Sequence, residues 1–358
     1  MFRRVFVPVT LSLALVLLSL TVVSSQGVMP PAQPLTGPGG AQYVHKSVTR
    51  NHYGKGGQEY WLYEPDSPKP TSKVPVIVLL HGWGGMNPLF YGAWIDHLVK
   101  RGNIVIYPRY QSTLLTSLKD FTPNTLSAIK DAISRLETEK GHVSPDLNKF
   151  AAVGHSMGGL LAANVAALAG ESKLPKVRAV MSVEPGITEP PINFELADLK
   201  KIPADTLLLA VAGDQDSLVG KTDAKRIYYE STRVPAANKD FITLVSDTHG
   251  TPTLIASHRA PTALDKSYDS GEGLSGTPAG TADPIGDAPQ VQRRVRPETM
   301  MVNALDYYGT WKLFDALCDA AFNGKNREYA LGNTPQQRFM GRWSDGVPVK
   351  ELIVTDKP

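Results

Sequence analysis

The stretch FAAVGHSMGGLLAANVAALAG, residues 150–170, restricts the possible folds of this chain more than any other. An apolar run ends at Val153 and an alanine-rich one opens at Met157. A buried strand must therefore turn into a helix with almost no connecting chain. Ser156 falls on that turn, where bulky side chains at 154 or 158 would collide with neighbouring backbone. Gly154 and Gly158 remove the collision and Gly159 adds room for close packing. The strain of such an elbow holds the serine hydroxyl out at the carboxyl edge of a sheet. There it lies beside a helix N-terminus whose free N–H groups favour a developing anion. A serine before a helix can also be a simple cap. The strand–turn–helix context favours a nucleophile.

Around this elbow, strand-like and helical stretches alternate. VPVIVLL (74–80) and NIVIY (103–107) are continuous apolar runs, the pattern of parallel strands covered on both faces. PLFYGAWIDHLVKRG between them reads as a helix ending at Gly102, and Thr122 with Pro123 opens another carrying Leu126, Ile129, Ile133 and Leu136 on one face. Strands KFAAVG, VRAVMSVEP, DTLLLAVAG and FITLVSD follow, with helices MGGLLAANVAALAG and AKRIYYES among them. The order predicts one doubly wound α/β domain over residues 43–358, with a mostly parallel sheet and helices on both faces. Within it, 260–297 is rich in Gly, Pro, Ser, Thr and Asp and reads as an irregular loop, either a lid or an insertion without fixed structure. Residues 298–358, with an amphipathic helix around ALDYYGTWKLFDALCDAAF, read as a C-terminal extension.

The N-terminus has a different character. Arg3 and Arg4 precede an apolar run to Val23, which gives way to Ser24 and Ser25. This order predicts an export signal over residues 1–25, with an uncleaved membrane anchor as the alternative. Residues 26–42, dense in proline and glycine, read as a flexible lead-in. Removing 1–25 takes away two arginines and no acid, so the formal charge drops from +3 to +1. Such a near-neutral protein has no electrostatic case for nucleic acid, and no membrane span remains once the signal is gone. The expected destination is secreted or periplasmic. Cys318 is the single cysteine and excludes an internal disulfide; on a helix face it reads as a small buried apolar residue.

A serine alcohol needs a base, and the base needs a carboxylate to orient it; in this kind of sheet the chain order is serine, acid, histidine. GDQDSLV (213–219) and DTHG (247–250) each leave the carboxyl end of a late strand. His249 is therefore the preferred base, with His258, deeper in the irregular stretch, as its rival. Asp216 is the preferred acid, with Asp214 and Glu184 as alternatives, whereas Asp247 suits a turn cap. HGWGG (81–85) follows an early strand and offers the backbone N–H of Trp83 beside that of Met157 as an oxyanion pair. His81 reads as structural, and His155 points away from the reacting side of a normal elbow. No metal and no organic cofactor is called for.

HGWGG, GHSMGG, GDQDSLV and DTHG, in this order, resemble the α/β-hydrolase superfamily. More narrowly they are similar to its dienelactone-hydrolase-like branch, which includes cutinases and polyester hydrolases, and to secreted lipases. The resemblance runs from about Tyr60 to Gly250. It implies the α/β-hydrolase fold and hydrolysis of carboxylic esters (of a lipid, acylated sugar or polyester-like substrate) through an acyl-enzyme, with Trp83 lining the acyl pocket. The chain lacks the C-terminal cysteine pair common in that branch and continues well past His249. Peptidase or acyl-transfer chemistry would use the same residues, and a binding module that has lost turnover is the reading from outside enzymology.

Overall fold

In the computed structural model, residues 27–188, 194–271 and 300–358 are described. They build one nine-stranded sheet in the order β1-β2-β4-β3-β5-β6-β7-β8-β9. The strands are β1 (Ser47–Tyr53), β2 (Tyr60–Asp66), β3 (Val74–Leu80), β4 (Ile104–Pro108), β5 (Pro145–His155), β6 (Val177–Val183), β7 (Leu207–Gly213), β8 (Lys239–Leu244) and β9 (Ile353–Thr355). β3 through β8 are mutually parallel; β1, β2 and β9 join antiparallel at the two edges. The parallel strands read as unbroken apolar runs because both faces are buried. Val76, Val78 and Leu80 of β3 enter one core, and Ile77 and Leu79 enter the other.

Helices cover the two faces. On the first lie α2 (Leu118–Thr138), α3 (Met157–Leu168) and α4 (Thr222–Glu230), through Phe121, Ile129, Leu161 and Ile227. α2 begins one turn before the expected Thr122–Pro123 opening, and Phe121 is among its buried residues. On the second face lie α1 (Gly92–Lys100) and α5 (Trp311–Asn323), through Trp94, Leu98, Phe314 and Leu317. α5 belongs to residues 298–358, and so does β9. That stretch covers one face and closes one edge of the sheet, so it is part of the domain's core. Cys318 is buried on α5 among apolar neighbours.

The lead-in departs from expectation. From Gly27 onward it is tied down, so flexibility does not describe the part that is seen. Val28 C=O accepts from Thr251 N–H (2.8 Å), Met29 and Ser344 exchange two hydrogen bonds, and Gly39 N–H donates to Asp315 Oδ2 (2.8 Å). Proline and glycine keep this segment out of helices and strands, yet its backbone groups find partners in the tertiary structure. The expected signal (1–25) and most of the expected loop or lid (272–297 of 260–297) lie outside the described residues. Among those described, no helix is long and apolar enough to cross a membrane.

The chain leaves β3 toward β4 on one side and comes back to β5 on the other, so the sheet reverses its winding between β3 and β5. In open α/β sheets, such a switch point opens a crevice at the carboxyl ends of the strands. The loop after β3 and the turn after β5 meet there.

Candidate active site

Ser156 is the one residue between β5 and α3, at φ 58° and ψ −124°, outside the comfortable regions for a side chain of its kind. The neighbouring glycines allow it. A Cβ on Gly154 would lie 2.0 Å from the Gly158 carbonyl oxygen. One on Gly158 would lie 2.0 Å from that of Leu80 and 2.5 Å from that of His81. Real Cβ atoms do not approach backbone so closely, so elbow and strand ends pack only with hydrogen at these positions.

The structure brings His258 to this hydroxyl, with Nε2 2.9 Å from Ser156 Oγ and Nδ1 2.9 Å from Asp216 Oδ2. A carboxylate only accepts, so Nδ1 carries the proton and Nε2 turns its lone pair toward the serine. Asp216 is fixed in turn, its Oδ1 accepting from the N–H groups of Leu218 (2.9 Å) and Val219 (3.1 Å). The three groups come from the turns and loops after β5, β7 and β8.

His249, the preferred base from the sequence, lies elsewhere. Its imidazole pairs with Asp345 at the surface, Nε2 to Oδ2 2.7 Å. The cause is the course of the loop after β8. Asp247 and Leu254 form an antiparallel bridge, so 248–253 is a closed excursion with His249 on its outer limb. After the bridge the chain comes back over the strand ends: Ser246 Oγ accepts from Ala256 N–H (2.9 Å) and Ala256 C=O from Gln215 N–H (3.0 Å). That return delivers His258. Asp214 accepts from the N–H and hydroxyl of Ser246 and so ties the two loops together, while Asp216 takes the imidazole's Nδ1–H. Asp247 accepts from His249 N–H and also from Trp343 Nε1 and Lys350 N–H, a turn cap that anchors the C-terminal stretch as well.

The loop after β3 sits against the serine. A Cβ on Gly82 would be 3.2 Å from Ser156 Cβ. Gly82 N–H is taken up by the Tyr91 hydroxyl (2.9 Å), while neither Trp83 N–H nor Met157 N–H has a hydrogen-bond partner among the described residues. His81 underlies the loop, stacked on Tyr110, with Nε2 2.8 Å from the Arg109 carbonyl; burial pushes its pKa down to about 4, so the ring is neutral.

His155 has more to do than the sequence suggested. The Tyr91 hydroxyl, already accepting from Gly82, donates to His155 Nδ1 (2.8 Å), and His155 Nε2–H donates to the His258 carbonyl (2.8 Å). Burial, then the neighbouring His258, holds this imidazole well below its ordinary pKa, so it stays neutral. One line of bonds thus joins the loop after β3 to the main chain of His258. The only sequence signal was a histidine beside the elbow serine.

Glu184 follows β6 and is fully buried, with Oε2 3.8 Å from His258 Nδ1 and 3.6 Å from His155 Nε2. His155, Glu184 and His258 offer ligand atoms within 4.8 Å of one another. A metal there would have to displace existing bonds, since His155 Nε2 is held by the His258 carbonyl and both His258 nitrogens are engaged.

A mostly parallel sheet wound in this order, with a serine elbow after β5 and histidine and aspartate delivered after β8 and β7, is the α/β-hydrolase fold. More particularly, residues 66–189, a minority of the chain that includes the elbow, match the family model described as Chlorophyllase. A search of curated proteins returned no match. The likeness to that family implies a hydrolase acting on esters.

Proposed function

We propose that this chain is an exported serine hydrolase that cleaves carboxylic esters through an acyl-enzyme. The observation that carries the reading is the unbroken path Ser156 Oγ, His258, Asp216, with both contacts at 2.9 Å. Ser156 attacks the ester carbonyl as its proton passes to His258 Nε2, and Asp216 stabilises the imidazolium through Nδ1–H. Trp83 and Met157 N–H groups, both without partners among the described residues, would hold the oxyanion. Each such donor is worth roughly 10²–10³ in kcat in comparable hydrolases. The imidazolium then protonates the leaving alcohol, and water releases the acid by the same steps reversed.

The rim supports an apolar substrate. Trp83 in the loop after β3, Leu115 beyond β4 and Leu218 beside Asp216 are large, exposed apolar side chains on loops that leave the carboxyl ends of their strands. Loops at the carboxyl ends of parallel strands border the crevice in which such sheets bind ligands. An ester with an apolar acyl or alcohol group fits it.

The test is fluorophosphonate labelling of the wild type and of Ser156→Ala, followed by hydrolysis of p-nitrophenyl esters of increasing chain length. Labelling confined to Ser156, with turnover rising from acetyl to longer chains, is the expected result. A folded wild-type protein that takes no label would overturn the reading.

A further inference from the structure

Three carboxyl groups follow β6 and β7 as candidates to orient the imidazole, Asp214, Asp216 and Glu184, and the mechanism above uses one. Asp214 is spent on Ser246. Glu184 is the remaining one. It has zero exposure, yet neither of its oxygens has a hydrogen-bond partner among the described residues. An ionisable group so placed is costly, and the surroundings are shaped to keep it there. Its backbone sits at φ 44°, in the left-handed region that disfavours a residue of this kind, held by a 2.7 Å bond from its N–H to the Val211 carbonyl. Gly213 at the end of β7 makes room for it, since a Cβ there would be 2.6 Å from Glu184 Oε1.

We propose that Glu184 is a standby orienting carboxyl for His258, able to take over the Nδ1–H when Asp216 is lost or neutralised. This rests on the reading of Ser156, His258 and Asp216 given above. Glu184 Oε2 is 3.8 Å from Nδ1, about 1 Å further than Asp216 Oδ2, a gap that a small side-chain shift closes. The titratable or charged groups around it are Asp216 from the loop after β7, His258 and Arg259 from the returning loop, His155 from β5, and Tyr91. Burial, then the charge of Asp216, pushes the Glu184 carboxyl well above its ordinary pKa. With Asp216 ionised, Glu184 is therefore the neutral member of the pair. Two carboxyls so close do not both ionise easily. Removing the Asp216 charge removes one of the two forces that keep the proton on Glu184. It can then ionise and accept from Nδ1–H while the serine proton moves to Nε2 as before. Glu184 acts through His258, so it is a positioning residue.

The experiment is a double-mutant cycle on the full chain, with a p-nitrophenyl ester as probe and a thermal melt to confirm folding. Asp216→Ala is expected to lower kcat only about 10- to 100-fold. Adding Glu184→Gln to it should bring the total loss to about 10⁴, the scale seen when a triad histidine loses its carboxylate. Glu184→Gln alone, which mimics the neutral acid, should cost less than about tenfold. In Asp216→Ala the acidic limb of the kcat profile should also move to higher pH than in the wild type, because Glu184 must shed its proton before it can orient the ring. A residue with a merely structural role would not move that limb. Asp216→Asn serves as an isosteric second background should the alanine variant fold poorly. If Glu184→Gln adds no loss in either background, the standby role is wrong. Full activity in Ser156→Ala would instead remove the triad reading beneath it.

Discussion

Two histidines of the loop after β8 each meet an aspartate. His258 lies 2.9 Å from Asp216, and His249 lies 2.7 Å from Asp345. By distance alone the second pair is the better one. The difference lies in what surrounds them. The His258 side chain is 12% exposed and its other nitrogen faces Ser156, while the His249 side chain is 37% exposed and opens to solvent. An imidazole–carboxylate contact is thus a common local event. Under the proposed function it becomes chemistry only at His258, where a third group, fixed by the sheet, waits at the second nitrogen.

The largest expected effect tests that distinction. His258→Ala should lower kcat by about 10⁴-fold or more on any p-nitrophenyl ester the wild type accepts, with fluorophosphonate labelling lost to match. The comparison breaks if His249→Ala does equal damage in a protein that is still folded.

A third pair sharpens it. His97 Nε2 lies 2.9 Å from Asp315 Oδ2, as close as His258 lies to Asp216 and with the imidazole more deeply buried, and Asp315 also accepts from Gly39 N–H and Arg101 Nε. Where His258 meets the elbow serine, this ring meets a phenol: its Nδ1 lies 3.1 Å from the Tyr43 hydroxyl. The contact here joins the lead-in, α1 and α5. Asp315→Asn should cost about 3–5 kcal/mol of unfolding free energy at pH 7, because it leaves buried donors facing an uncharged partner. Turnover per folded molecule should hold. Burial alone would raise the Asp315 pKa, but Arg101 and then His97 hold it below the ordinary carboxylate value. Its stabilisation is therefore complete above the unfolded carboxylate pKa and is lost as pH falls through the folded one. Denaturant titrations should find the gap between wild type and variant closing as pH drops from 7 toward 3. A gap that widened on acidification would reverse the sign of the argument.

How His258 is held gives the third test. Its carbonyl is braced through His155 and Tyr91 to Gly82, and His249 has no such brace. Tyr91→Phe removes one hydroxyl and strands two buried groups, the Gly82 N–H and His155 Nδ1. A buried group left unpaired costs about 1–3 kcal/mol. Part of that should appear as a roughly tenfold fall in kcat, with KM little changed. A fall in melting temperature with kcat intact would make the brace purely structural.

The sequence announces some of this geometry and hides the rest. The elbow is legible because its constraint is local: Gly154 and Gly158 are dictated by contacts within a few residues and with the adjacent strand end. The parallel strands are legible because burial on both faces leaves unbroken apolar runs. Asp216 is close enough to the end of β7 for the strand to place it. His258 is not close to the end of β8, and its position depends on the Asp247–Leu254 bridge and on Ser246 and Gln215 gripping the returning chain. Those are tertiary contacts with no pattern of their own in the sequence. The tertiary anchoring of the lead-in, expected to be flexible, is hidden for a similar reason. Its composition speaks against helices and strands, but its order comes from Ser344, Thr251 and Asp315, all far along the chain.

The smallest expected effect completes the contrast. Asp345 is held below its ordinary carboxylate pKa chiefly by the bond from His249, yet both groups are solvated, one on the 248–253 excursion and the other on the turn after Trp343. Water competes for each, salt screens what remains, and ordering two side chains offsets part of the gain. His249→Ala and Asp345→Asn should therefore each leave kcat within about threefold of wild type and leave the melting temperature where it was. The main chain here is held independently by the Asp247 carboxylate and the Val28 carbonyl, so the excursion keeps its path without the pair. The readout that separates this from a hidden catalytic role is kcat across pH: loss of His249 should leave the whole profile in place, whereas a working base would take one limb of it away.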